Sequence, residues 1–140
     1  MNNDTVYLIT RGDDCGSSHS ANRAIMEAYR RGVLKNVSVM VVCPAILEAA
    51  EMFAGESDIC CGLHVTMNAE WDSISWGPVL PPQRVPSLVD SRGVFFQTTK
   101  ALYENKPFLD EIMLEIQAQL DKAPYAMMKL NSMAIVYDSY

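Results

Sequence analysis

The 140-residue chain is predicted to be an α/β protein built from parallel strand–helix units. Three observations predict this class. Short apolar runs recur along the first two thirds of the chain, a segment with helical spacing follows each of the first two, and short turns join them. Strands that are joined through helices in this way run parallel within one sheet. The order strand, helix, strand, helix, strand therefore indicates an open parallel sheet or a barrel.

The strands are assigned from apolar, β-branched composition without a helical period. Residues 6–10 are predicted to form the first strand, residues 37–42 the second and residues 59–65 the third. A further strand is predicted near the end of the chain, at residues 134–137.

The helices are assigned from apolar residues at helical spacing and from stop signals. Residues 21–31 form the first helix, with Gly32 as its stop, and Pro44 opens the second, which runs to about Gly55. A last helix is predicted over residues 108–122. Its expected buried stripe consists of Leu109, Ile112, Met113, Ile116 and Leu120.

Residues 67–105 interrupt this rhythm with prolines, turn residues and both tryptophans. Long connections of this kind are usually lids or binding loops, so we expect this excursion to serve a site. No linker composition divides the chain. We therefore predict one domain over residues 1–140, with residues 124–140 as an atypical tail.

Composition narrows the class of partner. A net charge of -6 argues against nucleic acid and against an anionic membrane surface, because both favour a basic face. The first residues lack a signal-peptide pattern, and no apolar run approaches the roughly 20 residues of a membrane span. The four cysteines are scattered without a paired spacing, which is typical of a reduced protein. We expect a cytoplasmic protein with no nucleic-acid or membrane partner.

The strongest candidate site combines Asp13 and Asp14 with His64. The acidic pair follows the first predicted strand and His64 ends the third, so all three are expected at the same edge of the sheet. Adjacent residues on an extended chain point to opposite sides, which allows one acid to bind a metal and the other to handle a proton. Aspartate and histidine are ligands for Zn²⁺ or a harder divalent ion. Helix capping by the acids and a structural role for the histidine remain alternatives.

Other polar and aromatic residues are weaker candidates. His19 lies in the turn after the first strand and is either close to the site or a surface group. Cys15 near a helix start is a candidate thiol nucleophile or a small turn residue. Trp71 and Trp76 form either a sugar-stacking wall or a loop anchor. Neither a phosphate-binding glycine loop nor a serine-nucleophile elbow is present.

Several segments together resemble the YdjC-like carbohydrate deacetylases. They are residues 8–22, 37–41, 62–66, 76–80 and 85–88, and the resemblance covers about residues 5–122. The combination of D-D-x-G with G-L-H-x-T at this separation is more specific than either motif alone. The resemblance implies a metal-dependent hydrolase on a (β/α) barrel-like fold of the NodB/YdjC type. Its implied substrates are N-acetylated sugars such as chito-oligosaccharides.

The resemblance also implies roles for individual residues. Asp13 corresponds to the general base, and Asp14 and His64 correspond to metal ligands, with Mg²⁺ or Zn²⁺ as the cofactor. An acetylated amino-sugar or oligosaccharide is the implied substrate. The candidate residues for a substrate pocket are Arg11, His19, Thr66 and Trp76.

The end of the chain departs from the family. Family members continue well beyond this length and supply the remaining metal ligand from a histidine-containing segment, whereas residues 124–133 contain no histidine. A (β/α) barrel typically needs about 250 residues, so this chain is expected to form a truncated barrel with exposed strand edges. We expect a homodimer that covers the open edge. The tail is interpreted as a truncated, frameshifted or replaced end.

Two alternatives to a working enzyme remain open. One is a non-catalytic oligomeric α/β remnant or interaction module that lacks a complete metal site. The other is a receiver-like phosphoacceptor domain, since an acidic pair after the first strand also suits Mg²⁺.

Overall fold

A parallel β-sheet forms the centre of the molecule. The computed structural model describes residues 6–126 and 133–136, and within them the sheet has the strand order β1-β2-β3-β4, with every neighbouring pair parallel. This arrangement confirms the predicted α/β class with parallel βα units. The strands are β1 (Arg11–Cys15), β2 (Asn36–Val39), β3 (Cys60–His64) and β4 (Met133–Val136), and the helices are α1 (His19–Arg30), α2 (Ile46–Met52), α3 (Thr99–Glu104) and α4 (Leu109–Ala126).

The first strand lies later in the chain than predicted. The prediction of a strand over residues 6–10 is wrong, and residues 6–9 are 83% to 89% exposed. Pairing begins instead at Arg11, and β1 contains the acidic pair rather than ending before it. Apolar composition marks a tendency to form strands, whereas the register with the neighbouring strand decides which residues pair.

The other predicted strands are confirmed with narrower bounds. β2 and β3 lie within residues 37–42 and 59–65 apart from a one-residue extension of β2 to Asn36. β4 confirms a strand at residues 134–136, and the predicted last residue of that strand, Tyr137, lies outside the described residues. β4 pairs with β3, so the end of the described chain extends the same sheet.

Helices α1 and α2 cover one face of the sheet. Ser18 is the N-cap of α1, since its side chain accepts a hydrogen bond from the backbone N–H of Ala21. Alternation along β2 directs Val37 and Val39 toward these helices and leaves Ser38 for the opposite face. The apolar core between helices and sheet includes Ile25, Met26, Val37, Val39, Phe53, Ile59 and Cys61.

The excursion at residues 67–105 is ordered rather than a loose loop. It contains α3 and two short 3₁₀ turns, Pro82–Arg84 and Pro86–Leu88, none of which was predicted from the sequence. A separate apolar cluster fixes it, which includes Trp76, Val85, Leu88 and Phe95. The excursion therefore forms a packed layer over one end of the sheet.

Helix α4 buries only part of the predicted stripe. Ile112, Ile116 and Leu120 are partly buried, and Ile112 and Leu120 pack against the apolar clusters. The helix runs through Pro124 to Ala126, beyond the predicted end at residue 122. Leu109 and Met113 of the predicted stripe are 70% and 58% exposed, whereas Glu115 and Gln119 are fully buried. Backbone N–H groups of Thr66 and of the excursion need buried acceptors, and these two polar side chains supply them.

No helix in the described part of the chain has both the length and the apolar character that crossing a bilayer requires.

Candidate functional site

A β-bulge in β1 presents the acidic pair. Gly12 lies opposite Val37 and Cys15 opposite Val39, so three steps along β1 match two along β2. Asp14 takes up the extra residue with a φ of 62°, in the left-handed region that aspartate tolerates better than most residues. Ser17 stabilises this turn, since its backbone N–H and its hydroxyl both donate to the Asp14 carbonyl, at 3.1 and 2.5 Å.

The bulge brings Asp14 next to His64, the last residue of β3. Asp14 Oδ1 lies 3.5 Å from His64 Nδ1, and both side chains are only partly exposed. β1 and β3 are separated in the sheet by β2, so only the carboxyl ends of the strands allow this contact. The structure therefore brings together the two residues that the family resemblance assigns as metal ligands.

Ser38 of β2 links Asp13 to the same histidine. Its hydroxyl donates to Asp13 Oδ1 at 2.7 Å, and its oxygen lies 3.2 Å from His64 Nδ1. The Ser38 hydroxyl therefore bridges the Asp13 carboxylate and the His64 ring. Ser38 is not among the site residues predicted from the sequence. The available signal was one polar residue within a valine-rich strand, on the face opposite the valines.

Arg11 holds the other side of the Asp13 carboxylate. Its Nε lies 2.6 Å from Asp13 Oδ1, and its Nη2 donates to Oδ2 at 3.4 Å. Burial raises the pKa of Asp13, but hydrogen bonds from Ser38 and Arg11, together with the charges of Arg11 and His64, outweigh burial. The pKa of this carboxyl group is therefore lowered. Asp13 is ionised at neutral pH and can accept a proton.

Replacing Arg11 tests this electrostatic arrangement. A group with a lowered folded-state pKa stabilises the fold above its unfolded-state pKa, and that contribution disappears as pH falls through the folded value. Arg11→Met should therefore destabilise the protein at pH 7 by less than about 1 kcal/mol, because the pair is partly exposed. The difference from wild type should shrink as the pH is lowered below 3.8, the ordinary pKa of the carboxyl group. Urea unfolding at neutral pH and at the lower pH measures the difference in the free energy of unfolding between the variant and the wild type.

The exposed Arg84 supplies the control for that experiment. Arg84→Met removes the same side chain from the 3₁₀ turn Pro82–Arg84. It should show no comparable dependence on pH. An Arg11→Met destabilisation of equal size at both pH values would contradict a lowered pKa at Asp13.

His19 is placed in a different contact. Its side chain is 65% exposed, and its Nδ1 pairs with the carboxylate of Glu48 in α2. The buried Asn22 donates to the same carboxylate at 2.8 Å, and it accepts from the backbone of Gly16 at 2.7 Å. Hydrogen bonds from Asn22 and His19 lower the pKa of Glu48. His19 thus links the start of α1 to α2, and its role in a substrate pocket stays a prediction.

Thr66 and Trp76 are both buried, and Thr66 contacts His64. The Thr66 hydroxyl donates to the His64 carbonyl at 2.9 Å. The Trp76 indole donates to the Asn68 carbonyl at 2.8 Å, and its ring meets Trp71 edge-on with centroids 5.9 Å apart. These contacts favour the interpretation of Trp76 as a loop anchor. Pocket roles for both residues, and for Arg11, stay predictions.

The cysteine alternative has little support. Cys15 is buried, and burial raises the pKa of its thiol to about 12. A nucleophilic cysteine needs the opposite shift and an accessible sulfur. Burial also raises the pKa of the Cys43 and Cys61 thiols to about 12. All four cysteines are free.

The spacing of Asp14 Oδ1 and His64 Nδ1 fits two ligands of a single metal ion. Two donors on a tetrahedral zinc ion, each bonded at about 2.1 Å, lie roughly 3.4 Å apart, close to the 3.5 Å between Asp14 Oδ1 and His64 Nδ1. Within residues 6–126 and 133–136, no group of three or more histidine, cysteine, aspartate or glutamate side chains is arranged to hold a metal ion. The described residues therefore provide two candidate ligands.

Comparison with known proteins gives matches over the part of the chain that contains the candidate site. The family model described as YdjC-like protein matches residues 7–131. A carbohydrate deacetylase from Thermoanaerobacter pseudethanolicus is 32% identical over 84% of the chain, and a chitooligosaccharide deacetylase from Yersinia enterocolitica is 31% identical over 82%.

A solved structure has the same fold. An Enterococcus faecalis protein described as a cellobiose-phosphate cleavage protein superposes with a TM-score of 0.76 and 28% identity over 91% of the chain. The chain spans 47% of that protein, 44% of the Thermoanaerobacter relative and 42% of the Yersinia relative. The match therefore concerns less than half of each relative.

Proposed function

Because the chain belongs to the YdjC-like family, we propose that it functions in the metal-dependent removal of N-acetyl groups from carbohydrates. One observation carries the proposal: Asp14 and His64 approach within 3.5 Å at the carboxyl ends of parallel strands, beside the ionised Asp13. Relatives named carbohydrate deacetylase are 32% identical over 84% and 81% of the chain. An N-acetylated oligosaccharide of the chito-oligosaccharide type is the proposed substrate.

Asp14 and His64 are the proposed ligands for Zn²⁺ or Mg²⁺. When bound, the ion supplies Lewis acidity that polarises the acetyl carbonyl and lowers the pKa of water. Asp13 acts as the general base and takes a proton from the water that attacks the carbonyl carbon. The C–N bond breaks, the proton passes to the departing nitrogen, and acetate and a free amine result.

Arg11 and Ser38 keep this base in its working state. Arg11 Nη2 and the Ser38 hydroxyl donate to Asp13, so the carboxylate is ionised and fixed in orientation before substrate arrives. The lowered pKa makes Asp13 a weak base, which suits a reaction whose water is already acidified. Ser38 also contacts His64, so the proposed base and the proposed ligand share one hydrogen-bonded network.

Product analysis tests the proposed reaction. The protein is incubated with an N-acetylated chito-oligosaccharide and Zn²⁺ or Mg²⁺, and acetate, primary amine and new reducing ends are measured. Acetate and amine should appear in equal amounts without new reducing ends. New reducing ends without acetate would show cleavage of a glycosidic bond and would contradict deacetylation.

A non-catalytic interaction module is the second candidate. It is favoured by the finding that the described residues contain no metal-binding group of three side chains. Calorimetric titration with Zn²⁺ separates the two candidates. The enzyme hypothesis expects saturable binding at one site, whereas the module hypothesis expects none.

We also propose that the protein forms a homodimer in the cytoplasm. β1 and β4 are the edges of the sheet in the described residues, and apolar residues 6–9 before β1 are exposed. Four free cysteines fit a reducing compartment. Light scattering after size exclusion should give twice the chain mass of 15.6 kDa. A stable species of single-chain mass would contradict the dimer.

A further inference from the structure

A buried glutamine on α4 clasps the chain just after His64. Gln119 Nε2 donates to the Thr66 carbonyl at 2.7 Å, and Gln119 Oε1 accepts from the Thr66 backbone N–H at 3.0 Å. Gln119 is fully buried and Thr66 nearly so. One side-chain amide therefore satisfies both backbone groups of Thr66, much as a neighbouring strand would.

Thr66 in turn restrains the backbone of His64. Its hydroxyl donates to the His64 carbonyl at 2.9 Å, which closes a short turn at the end of β3. Beyond this strand end the chain leaves the sheet, so ladder hydrogen bonds no longer hold it. The pair of contacts through Gln119 and Thr66 replaces them.

Glu115 fixes the direction of the amide. It lies one helical turn before Gln119 and accepts from Gln119 Nε2 at 2.9 Å. The same carboxylate accepts from the backbone N–H groups of Val79 and Leu80, at 2.8 and 3.1 Å. A reversed amide would face Glu115 and the Thr66 carbonyl with an acceptor, so only one orientation satisfies every partner.

We propose that Gln119 is a positioning residue that holds His64 in contact with Asp14 and Ser38. A gap of 3.5 Å between two proposed ligands is sensitive to small shifts of the strand end. Without the amide, the Thr66 backbone loses both buried partners and the end of β3 loses its support. The metal-binding part of this inference rests on the proposed function, whereas the placement of the His64 ring does not.

Gln119→Met tests the inference, with Gln117→Met as the matched control. Gln117 lies on the same helix but is exposed. NMR at one fixed pH follows the ring C–H signals of the chain's two histidines, with the exposed His19 as internal reference. Gln119→Met should shift the His64 signals and leave those of His19 in place, and Gln117→Met should shift neither. The affinity of the Gln119→Met variant for Zn²⁺ should fall about tenfold, as when other residues that orient a metal ligand are replaced.

Thr66 supplies an independent test that keeps α4 intact. Thr66→Val removes only the hydroxyl and should shift the His64 signals, while Thr66→Ser keeps the hydroxyl and should restore them. This pair decides the question if Gln119→Met does not fold. Unchanged His64 signals in folded Gln119→Met, or in Thr66→Val, would overturn the inference. Absence of Zn²⁺ binding by the wild type would instead count against the proposed function, and the ring signals would still report on positioning.

Discussion

Asp13→Asn is expected to lower kcat for acetate release by about a thousandfold while KM changes little. Arg11 Nε and the Ser38 hydroxyl both contact Asp13 Oδ1, and the amide oxygen of asparagine can keep these two contacts. The weaker bond from Arg11 Nη2 to Oδ2 is lost. The amide cannot accept the proton from water. Loss of activity with retained binding would therefore report the role of the base itself. Steady-state kinetics with an N-acetylated chito-oligosaccharide measure both constants.

Asp121→Asn is the control for this substitution. Asp121 is exposed on α4 and is bonded to Gln117. The same chemical change there should leave kcat within about twofold, since surface substitutions usually have small effects. A loss of less than about tenfold in Asp13→Asn would show that another group takes the proton.

Loss of Asp14 or His64 is expected to have the second large effect, on metal affinity. Replacing a residue that only orients a metal ligand weakens metal affinity by about 10- to 100-fold. Loss of a direct ligand should therefore weaken Zn²⁺ binding by more than about a hundredfold. Asparagine is the suitable replacement for Asp14, because it also tolerates the left-handed φ of 62°. His64→Ala removes the imidazole. Calorimetric titration at pH 7.5 or so, about 1 unit above the ordinary histidine pKa, measures the affinity of each variant.

His19→Ala is the matched control for His64→Ala, since His19 is exposed and paired with Glu48. It should bind Zn²⁺ as the wild type does. Equal Zn²⁺ affinity in the wild type, Asp14→Asn and His64→Ala would contradict the proposed ligands.

The fold class was predictable because it depends on repeated local patterns, whereas the first strand was not. Residues 6–9 have strong strand character, yet the strand that pairs begins at Arg11. Its register is set by Asn36 and Val37 on β2, and the bulge at residues 13–14 absorbs one extra residue. Neither the partner strand's register nor a bulge is visible in local composition.

The candidate site was predictable in part for a similar reason. The proximity of Asp14 and His64 follows from parallel strands that end at a common edge. The contacts of Asp13 with Arg11 and Ser38 do not follow, because they depend on which face each side chain takes after the bulge.

Helix α4 shows where periodicity alone misleads. Its apolar spacing pointed to Leu109 and Met113 as buried residues, and both are largely exposed. Glu115 and Gln119 are fully buried instead, and they accept hydrogen bonds from the backbone N–H groups of Val79 and Thr66. A long-range requirement for hydrogen bonds therefore outweighed the local apolar pattern.

The most direct test of the central claim is a crystal structure of the protein grown with Zn²⁺, with anomalous diffraction used to locate the metal. We predict an anomalous peak within about 2.2 Å of both Asp14 Oδ1 and His64 Nδ1. The same map would show which further group completes the coordination. Zinc bound elsewhere, or a well-ordered Asp14–His64 contact with no peak beside it at saturating Zn²⁺, would contradict a metal-dependent site.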